Sequence, residues 1–236
     1  MLAIVTSTIK PSTTNSGVIN SFYSWQERLD QTKNTLTGLQ KQGFEKIYLV
    51  DNSPALDKLQ LRQLFIDFPY IEIHHIPQYQ FTNNKGINEL LMLLYICQYL
   101  PAGKILFKIS GRYCPNEQFI KPYFEDIAAK GYHFEDRTGT ISTRAYWAKD
   151  VAIYEIFLLQ CLNEVFTYPQ RIVGIRSLYR KLANIFSKKT IPSVNISIEF
   201  AAANVLKRNK YNVTLLNILG IKGYIAGVNK EEEIAE

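Results

Sequence analysis

The sequence predicts an α/β fold: a mostly parallel sheet with helices on both faces. Two observations carry this. Short apolar runs alternate with longer runs of helical period through the first half of the chain. Several of the short runs also end in clusters of small polar residues, where parallel sheets gather ligand-binding groups. The length of 236 residues suits one large domain. Within it, residues 1–113 alternate strands and helices regularly and residues 114–236 are less regular.

Leu2 to Ser7 is an apolar strand that ends in hydroxyls. Ile9 to Ser24, rich in Ser, Thr and Asn, reads as a long loop. Trp25 to Gln42 has helical spacing, with Leu29, Leu36 and Leu39 on one side, and Gly43 closes it. Lys46 to Val50 is a buried strand followed by the turn Asp51-Asn52-Ser53-Pro54. Leu56 to Phe68 is an amphipathic helix, Tyr70 to Ile76 a strand, and Asn88 to Leu100 a strongly apolar helix. Lys104 to Ile109 is the next strand and runs into Ser110-Gly111-Arg112-Tyr113. This βαβ succession calls for parallel pairing under helices. In the second half, helices are expected over Asn116 to Lys130, Lys149 to Phe166 and Ser197 to Asn209. Short strands are expected over Tyr132 to Phe134, Thr140 to Thr143 and Asn212 to Leu216, and a frayed charged tail from Lys230 to Glu236.

Composition excludes several classes. With 47% hydrophobic and 20% charged residues the chain is neither disordered nor membrane-spanning. Three scattered cysteines form no zinc or redox pattern and fit a reducing compartment. The opening Met-Leu-Ala-Ile-Val-Thr has no basic n-region, so a cytoplasmic location is expected. There is no P-loop, Gly-x-Gly-x-x-Gly or Ser-His-Asp order, so kinase, dehydrogenase and hydrolase readings lack a motif. A net charge of +6 suits phosphate-bearing ligands or an anionic surface. It is too small to imply nucleic acid, and an RNA-binding reading has only that charge behind it.

The strand tips hold the candidate binding groups: Thr6, Ser7 and Thr8, then Asp51 and Asn52, then Ser110, Gly111 and Arg112. Asp51 is either a ribose or base acceptor or the anchor of an Asx-turn. Lys85 and Gly86, near a helix start, suit a phosphate, and the competing reading is ordinary capping by Asn84 or Asn88. Lys108 and Arg112 place two cations in and beyond a buried strand. They are either an anion clamp or members of ion pairs with Glu89 or Asp51. Gly111 would let a ligand approach the backbone closely. Arg171 to Lys189 carries six basic residues and no acid at helical spacing. It either lies on an anionic membrane face or packs on the core with its cations in water.

From these residues the chain resembles bacterial glycosyltransferase-like proteins of GT-A type, of the kind associated with surface-polysaccharide synthesis. The resemblance rests on the opening Ile-Val-Thr-Ser-Thr strand, Gln26-Glu27-Arg28-Leu29, Val50-Asp51-Asn52-Ser53, Asn84-Lys85-Gly86 and Phe107-Lys108-Ile109-Ser110-Gly111-Arg112-Tyr113. It covers residues 2 to 113 and thins beyond to Ile141-Ser142-Thr143-Arg144 and Ile198-Glu199. It implies a nucleotide-sugar donor at the strand ends, contacting Thr6, Ser7 and Asp51, with Arg28 in the motif set. It also implies a saccharide or lipid-linked acceptor on the side of residues 114–236, with residues 1–113 as the nucleotide-sugar-binding half. Peripheral membrane contact through 171–189 would suit a lipid-linked acceptor, and the charge and motifs give no reason to expect nucleic acid.

The family's Asp-x-Asp, which holds a divalent ion against the diphosphate, is replaced here by Lys108-Ile109-Ser110-Gly111-Arg112. Fixed cations can neutralise a diphosphate in place of a metal. Metal-independent transfer is therefore expected, with Lys108 and Arg112 as the clamp. No cofactor is predicted, although a divalent metal is allowed. Among the downstream carboxylates Glu135, Asp136 and Glu199, the last is the expected base for the acceptor hydroxyl, or else a helix-dipole partner. The alternative is a non-catalytic nucleotide- or saccharide-binding protein on the same scaffold.

Overall fold

The computed structural model describes residues 1–11, 23–76, 85–168, 179, 196–224 and 233–236. The basic run 171–189, except Tyr179, and Asn83 and Asn84 lie outside the described residues. The elements begin β1 (Leu2–Ser7), α1 (Trp25–Lys41), β2 (Lys46–Asp51), α2 (Lys58–Leu64), β3 (Ile71–His75), α3 (Lys85–Cys97) and β4 (Leu106–Ser110). They continue β5 (Tyr113–Pro115), β6 (Ile127–Tyr132), β7 (Thr140–Ala148), α4 (Val151–Thr167), α5 (Ile198–Arg208), β8 (Val213–Leu215), β9 (Ile221–Tyr224) and β10 (Glu233–Ala235).

A seven-stranded sheet has the order β3-β2-β1-β4-β7-β6-β8. β1, β2, β3 and β4 pair in parallel, as do β6 and β8, while β7 is antiparallel to both its neighbours. The sheet is the mostly parallel, two-faced one that the sequence predicts. A small antiparallel sheet, β10-β9-β5, sits beside it.

Both faces are buried, so the central strands read as continuous apolar runs whose side chains alternate between two cores. Ile4, Val50 and Leu106 face the core under α3, α4 and α5. Val5, Leu49 and Phe107 face the core on the α1 and α2 side. Local chemistry sets the helix starts. Ser24 and Glu27 form a capping box on α1, and Asp57 and Gln60 form one on α2. Asp150 caps α4, and Ser197 caps α5.

The connections create a switch point. The chain leaves β1 toward β2 through α1, and later crosses through α3 to β4 on the other side of β1. The connections leaving the C-terminal ends of β1 and β4 therefore run to opposite sides, and the crevice outside such strand ends is where open α/β sheets bind ligands.

Three expectations are corrected. Asn116 to Lys130 is not a helix. Pro115 and Pro122 interrupt its hydrogen bonding, and Phe119 and Phe124 are drawn into a ring cluster around Trp147. Its end instead forms β6, which pairs with a β7 five residues longer than the expected strand. Finally, the tail is not frayed at its end. Glu236 is 4% exposed, ion-paired with Arg144 and hydrogen-bonded by Ser142 Oγ at 2.8 Å.

Candidate functional site

The switch point opens into a cavity of about 160 Å³. β1 and the residue after it supply Thr6, Ser7 and Thr8, and the end of β4 supplies Ser110, Gly111 and Arg112. α1 contributes Arg28 and Thr32, α3 contributes Lys85, Glu89 and Met92, and the β2 turn contributes Asn52. The two strand tips are tied by Gly111 N–H donating to the Thr6 carbonyl at 2.8 Å. Gly111 has a reason other than ligand approach. A Cβ there would lie 2.9 Å from Thr32 Oγ1 and 3.4 Å from the Thr6 carbonyl oxygen, so glycine lets α1 close on the strand end.

Three cations converge on this space: Arg28, Lys85 and Arg112. Burial, and then the Arg112 guanidinium, push Arg28 down from the ordinary arginine value to about 10, with Asp51 opposing. Lys85, at the rim, is lowered by burial and then by both arginines. None of the described ion pairs includes Arg28 or Arg112. Among the described residues, buried Arg112 Nη1 has no hydrogen-bond partner. Three mutually repelling, partly desolvated cations make a site whose electrostatics an anion would relieve.

Lys108 is not one arm of that clamp. Strand alternation turns it toward α3, where it is 2% exposed and ion-paired with Glu89. It also donates to the Thr143 carbonyl and lies 5.8 Å from the centre of the Tyr146 ring. Its partner Glu89 is the acid of the cavity wall and accepts from Thr6 Oγ1 at 3.2 Å. Sequence reasoning treated Glu89 only as an ion-pair partner. Its position four residues after Lys85, on the same helix face, was the available signal, as Thr32 four after Arg28 was on α1.

Asp51 is likewise corrected to the structural reading. It is fully buried, and its carboxylate accepts from Ser7 Oγ at 2.6 Å, Ile9 N–H at 3.0 Å and Ser53 N–H at 2.8 Å. The last is an Asx-turn. The Ser7 and Thr8 hydroxyls are spent in the same way, on Asp51 and Asn52. These bonds lock the β1 and β2 tips into one cleft wall. Gly86 follows Lys85 on α3 but does not line the cavity.

Glu199 is not brought to this cavity. It stands in the first turn of α5, accepts from Thr143 Oγ1 at 3.1 Å, and lines a separate cavity of about 340 Å³ with Tyr132, Ser142 and Arg144. Thr143 stands between, with its carbonyl toward Lys108 and its hydroxyl toward Glu199.

The divalent ion implied by the resemblance does not fit these residues. A hard cation needs several oxygen ligands, with carboxylates among them. Here the wall offers Glu89, shared with Lys108 and Thr6, while Asp51 is saturated and three cations ring the space. Among the described residues no group of three or more His, Cys, Asp or Glu could hold a metal ion.

No protein-family model matches the chain, and no curated protein matches it. Among solved structures it is similar to the inositol-1-phosphate CTP transferase of T. maritima, at 11% identity and a TM-score of 0.46, over 91% of this chain and 84% of that one. It is similar to the galactosyltransferase LgtC with donor and acceptor sugar analogs, at 7% and 0.49, over 95% and 87%. It is also similar to a nucleoside-diphosphate-sugar pyrophosphorylase of Vibrio cholerae RC9, at 9% and 0.46, over 94% of both chains. Among the described residues, no helix is long and apolar enough to cross a membrane.

Proposed function

We propose that the chain is a nucleotide-sugar-dependent glycosyltransferase that works without a divalent metal, with the switch-point cavity holding the donor's diphosphate. One observation carries the reading: Arg28, Lys85 and Arg112 converge there with the buried Arg112 Nη1 unanswered. A diphosphate leaving group develops charge as the glycosidic bond breaks, and fixed cations stabilise that charge without reorganising. The cavity of about 160 Å³ suits the charged core of such a donor. Whole ligands of this size take ~300 Å³ or more, so the nucleoside and sugar extend beyond it.

In this reading Glu89, ion-paired with Lys108, accepts a hydrogen bond from a hydroxyl at the reacting end. Glu199 faces a different cavity and takes no part in the donor site. The acceptor is a saccharide, free or lipid-linked. The alternative, binding without transfer, is favoured by one feature: the cleft carboxylate is already shared with Lys108 and Thr6.

The test is turnover and thermal shift against a panel of nucleotide sugars and nucleoside diphosphates, with chelator and with Mn²⁺. A ligand at a hundred times its Kd stabilises the fold by about 2.7 kcal/mol. The reading expects such a shift in chelator, lost in Arg112→Ala and Arg28→Ala, and accompanied by release of nucleoside diphosphate. Binding without release favours the non-catalytic alternative. Absence of any nucleotide-dependent shift, or strict metal dependence, overturns the proposal.

A further inference from the structure

A second and larger cavity, a groove of about 840 Å³, runs between α1 and the small sheet. Its floor is set by close packing. Thr35 Oγ1 donates to the Tyr113 carbonyl at 2.7 Å. A Cβ on Gly38 would sit 2.6 Å from Cys114 Sγ, and one on Gly223 would sit 2.2 Å from the Arg112 carbonyl oxygen. The two glycines thus let α1 and β9 close on β5 and leave the space above them free of side chains. Arg112 lines this groove as well as the switch-point cavity, so the two meet at this residue.

We propose that this groove binds an acidic oligosaccharide, whose end reaches Arg112 and the reacting cleft. The proposal rests on the transferase reading only in making that saccharide the acceptor.

The walls carry an unusual share of carboxamides: Gln31, Asn34 and Gln42 on the α1 side, Asn116 and Gln118 opposite. An amide offers donors and an acceptor together, as a sugar hydroxyl does, so the two pair in either sense. Gln31 Oε1 is buried with no partner among the described residues, and Asn116 Oδ1 is taken by Gln118 N–H at 2.8 Å. Donors and acceptors of both kinds are therefore present.

The charge is cationic. Lys41, Lys222 and Arg112 face one acid, Glu117. Burial raises the Cys114 thiol, while Lys222 and Lys41 both pull it down, so the two ammonium groups bear on one stretch of the floor. Carboxylates carried along a saccharide match that stretch. Single-stranded nucleic acid would need a row of open ring faces for stacking, yet of the two tyrosines lining the groove Tyr113 is 2% exposed and Tyr224 is half-buried, 6.3 Å from the Tyr23 ring.

The experiment is calorimetric titration of the full chain with galacturonic acid trimer, with maltotriose as the neutral control, and with inorganic phosphate and a short oligouridylate as competitors. The acidic trimer is expected to bind at least about tenfold more tightly than maltotriose. Lys41→Glu and Lys222→Glu, both at exposed positions, should each weaken it by about tenfold or more. Gln42→Ala should weaken both trimers. Arg28→Ala should abolish the nucleotide-dependent thermal shift and leave trimer binding intact. If the trimer binds while no nucleotide does, the groove stands and the transferase reading falls. Equal affinity for the two trimers, indifference to both charge reversals, or displacement by phosphate or oligouridylate at concentrations no higher than the trimer's Kd overturns the proposal.

Discussion

Arg28→Met is expected to make the ligand-free protein more stable and its anion binding worse. The Arg28 guanidinium is held down from the ordinary arginine value to about 10, chiefly by burial and then by Arg112. At about 1.4 kcal/mol per pH unit, the charged form is disfavoured in the fold by about 3 kcal/mol. Methionine keeps an aliphatic stem against the same neighbours and removes the charge. A gain of about 1–3 kcal/mol is therefore expected at neutral pH, read from urea unfolding at constant m.

The pH dependence has a definite sign. The unfolded chain holds this proton more tightly than the fold does, so the wild type regains stability as pH rises above about 10 toward the ordinary arginine value. The advantage of the variant is thus constant from neutral pH to about 9 and shrinks above 10. In the same protein, affinity for a nucleoside diphosphate should fall by about tenfold or more, the scale of one charge-assisted contact. A methionine variant that is less stable than wild type and binds the anion equally well would refute the reasoning. It would mean that Arg28 is a structural group rather than an unanswered cation.

Lys108→Met leaves Glu89 without its buried partner and should destabilise by about 3–5 kcal/mol, with Lys108→Met/Glu89→Gln recovering much of that in urea unfolding. Gly111→Ala forces a Cβ to within 2.9 Å of Thr32 Oγ1 and should cost about 1–3 kcal/mol, partly restored by Thr32→Ala. Tyr132 is raised to about 12, first by burial and then by Glu236, so its contribution is full below about pH 10 and lost as pH rises through 12. Tyr132→Phe should remove one late-titrating phenol from an absorbance titration. Burial raises Cys97 to about 12 and Cys161 higher still, so a thiol reagent should label Cys114 in the native state and the other two only on unfolding.

Much of the first half was legible because local and global signals agree there. Leu2 to Ser7 is apolar on both faces and ends in hydroxyls, so its strand, its burial and its tip all read from one hexapeptide. The Ser197 cap and the alanines of α5 were equally plain. The segment Asn116 to Lys130 was not, because its helical spacing is overridden by a tertiary event, the capture of Phe119 and Phe124 by Trp147. In the site, the nearness of Arg28, Lys85 and Arg112 to the strand tips was readable, but the surroundings of Lys108 and Asp51 were not. Which face of β4 meets α3 depends on the register of the whole sheet, and the Asp51 carboxylate is filled by Ile9 N–H, forty-two residues away. The burial of Glu236 had no local signal at all, since its partners lie on β6 and β7.

The link between the two sheets has a kinetic consequence. Only Gly111 and Arg112 separate β4 from β5. The first is tied to Thr6, and the carbonyl of the second is abutted by Gly223. The backbone at Arg112 has no room to swing, which leaves its side-chain rotamers as the degrees of freedom. Rotamer exchange near a surface runs on the picosecond-to-nanosecond scale, whereas hinge and lid motions take microseconds or longer. Capture of an anion at this residue is therefore a side-chain event, and its association rate should follow diffusion and ionic strength rather than a slow conformational gate.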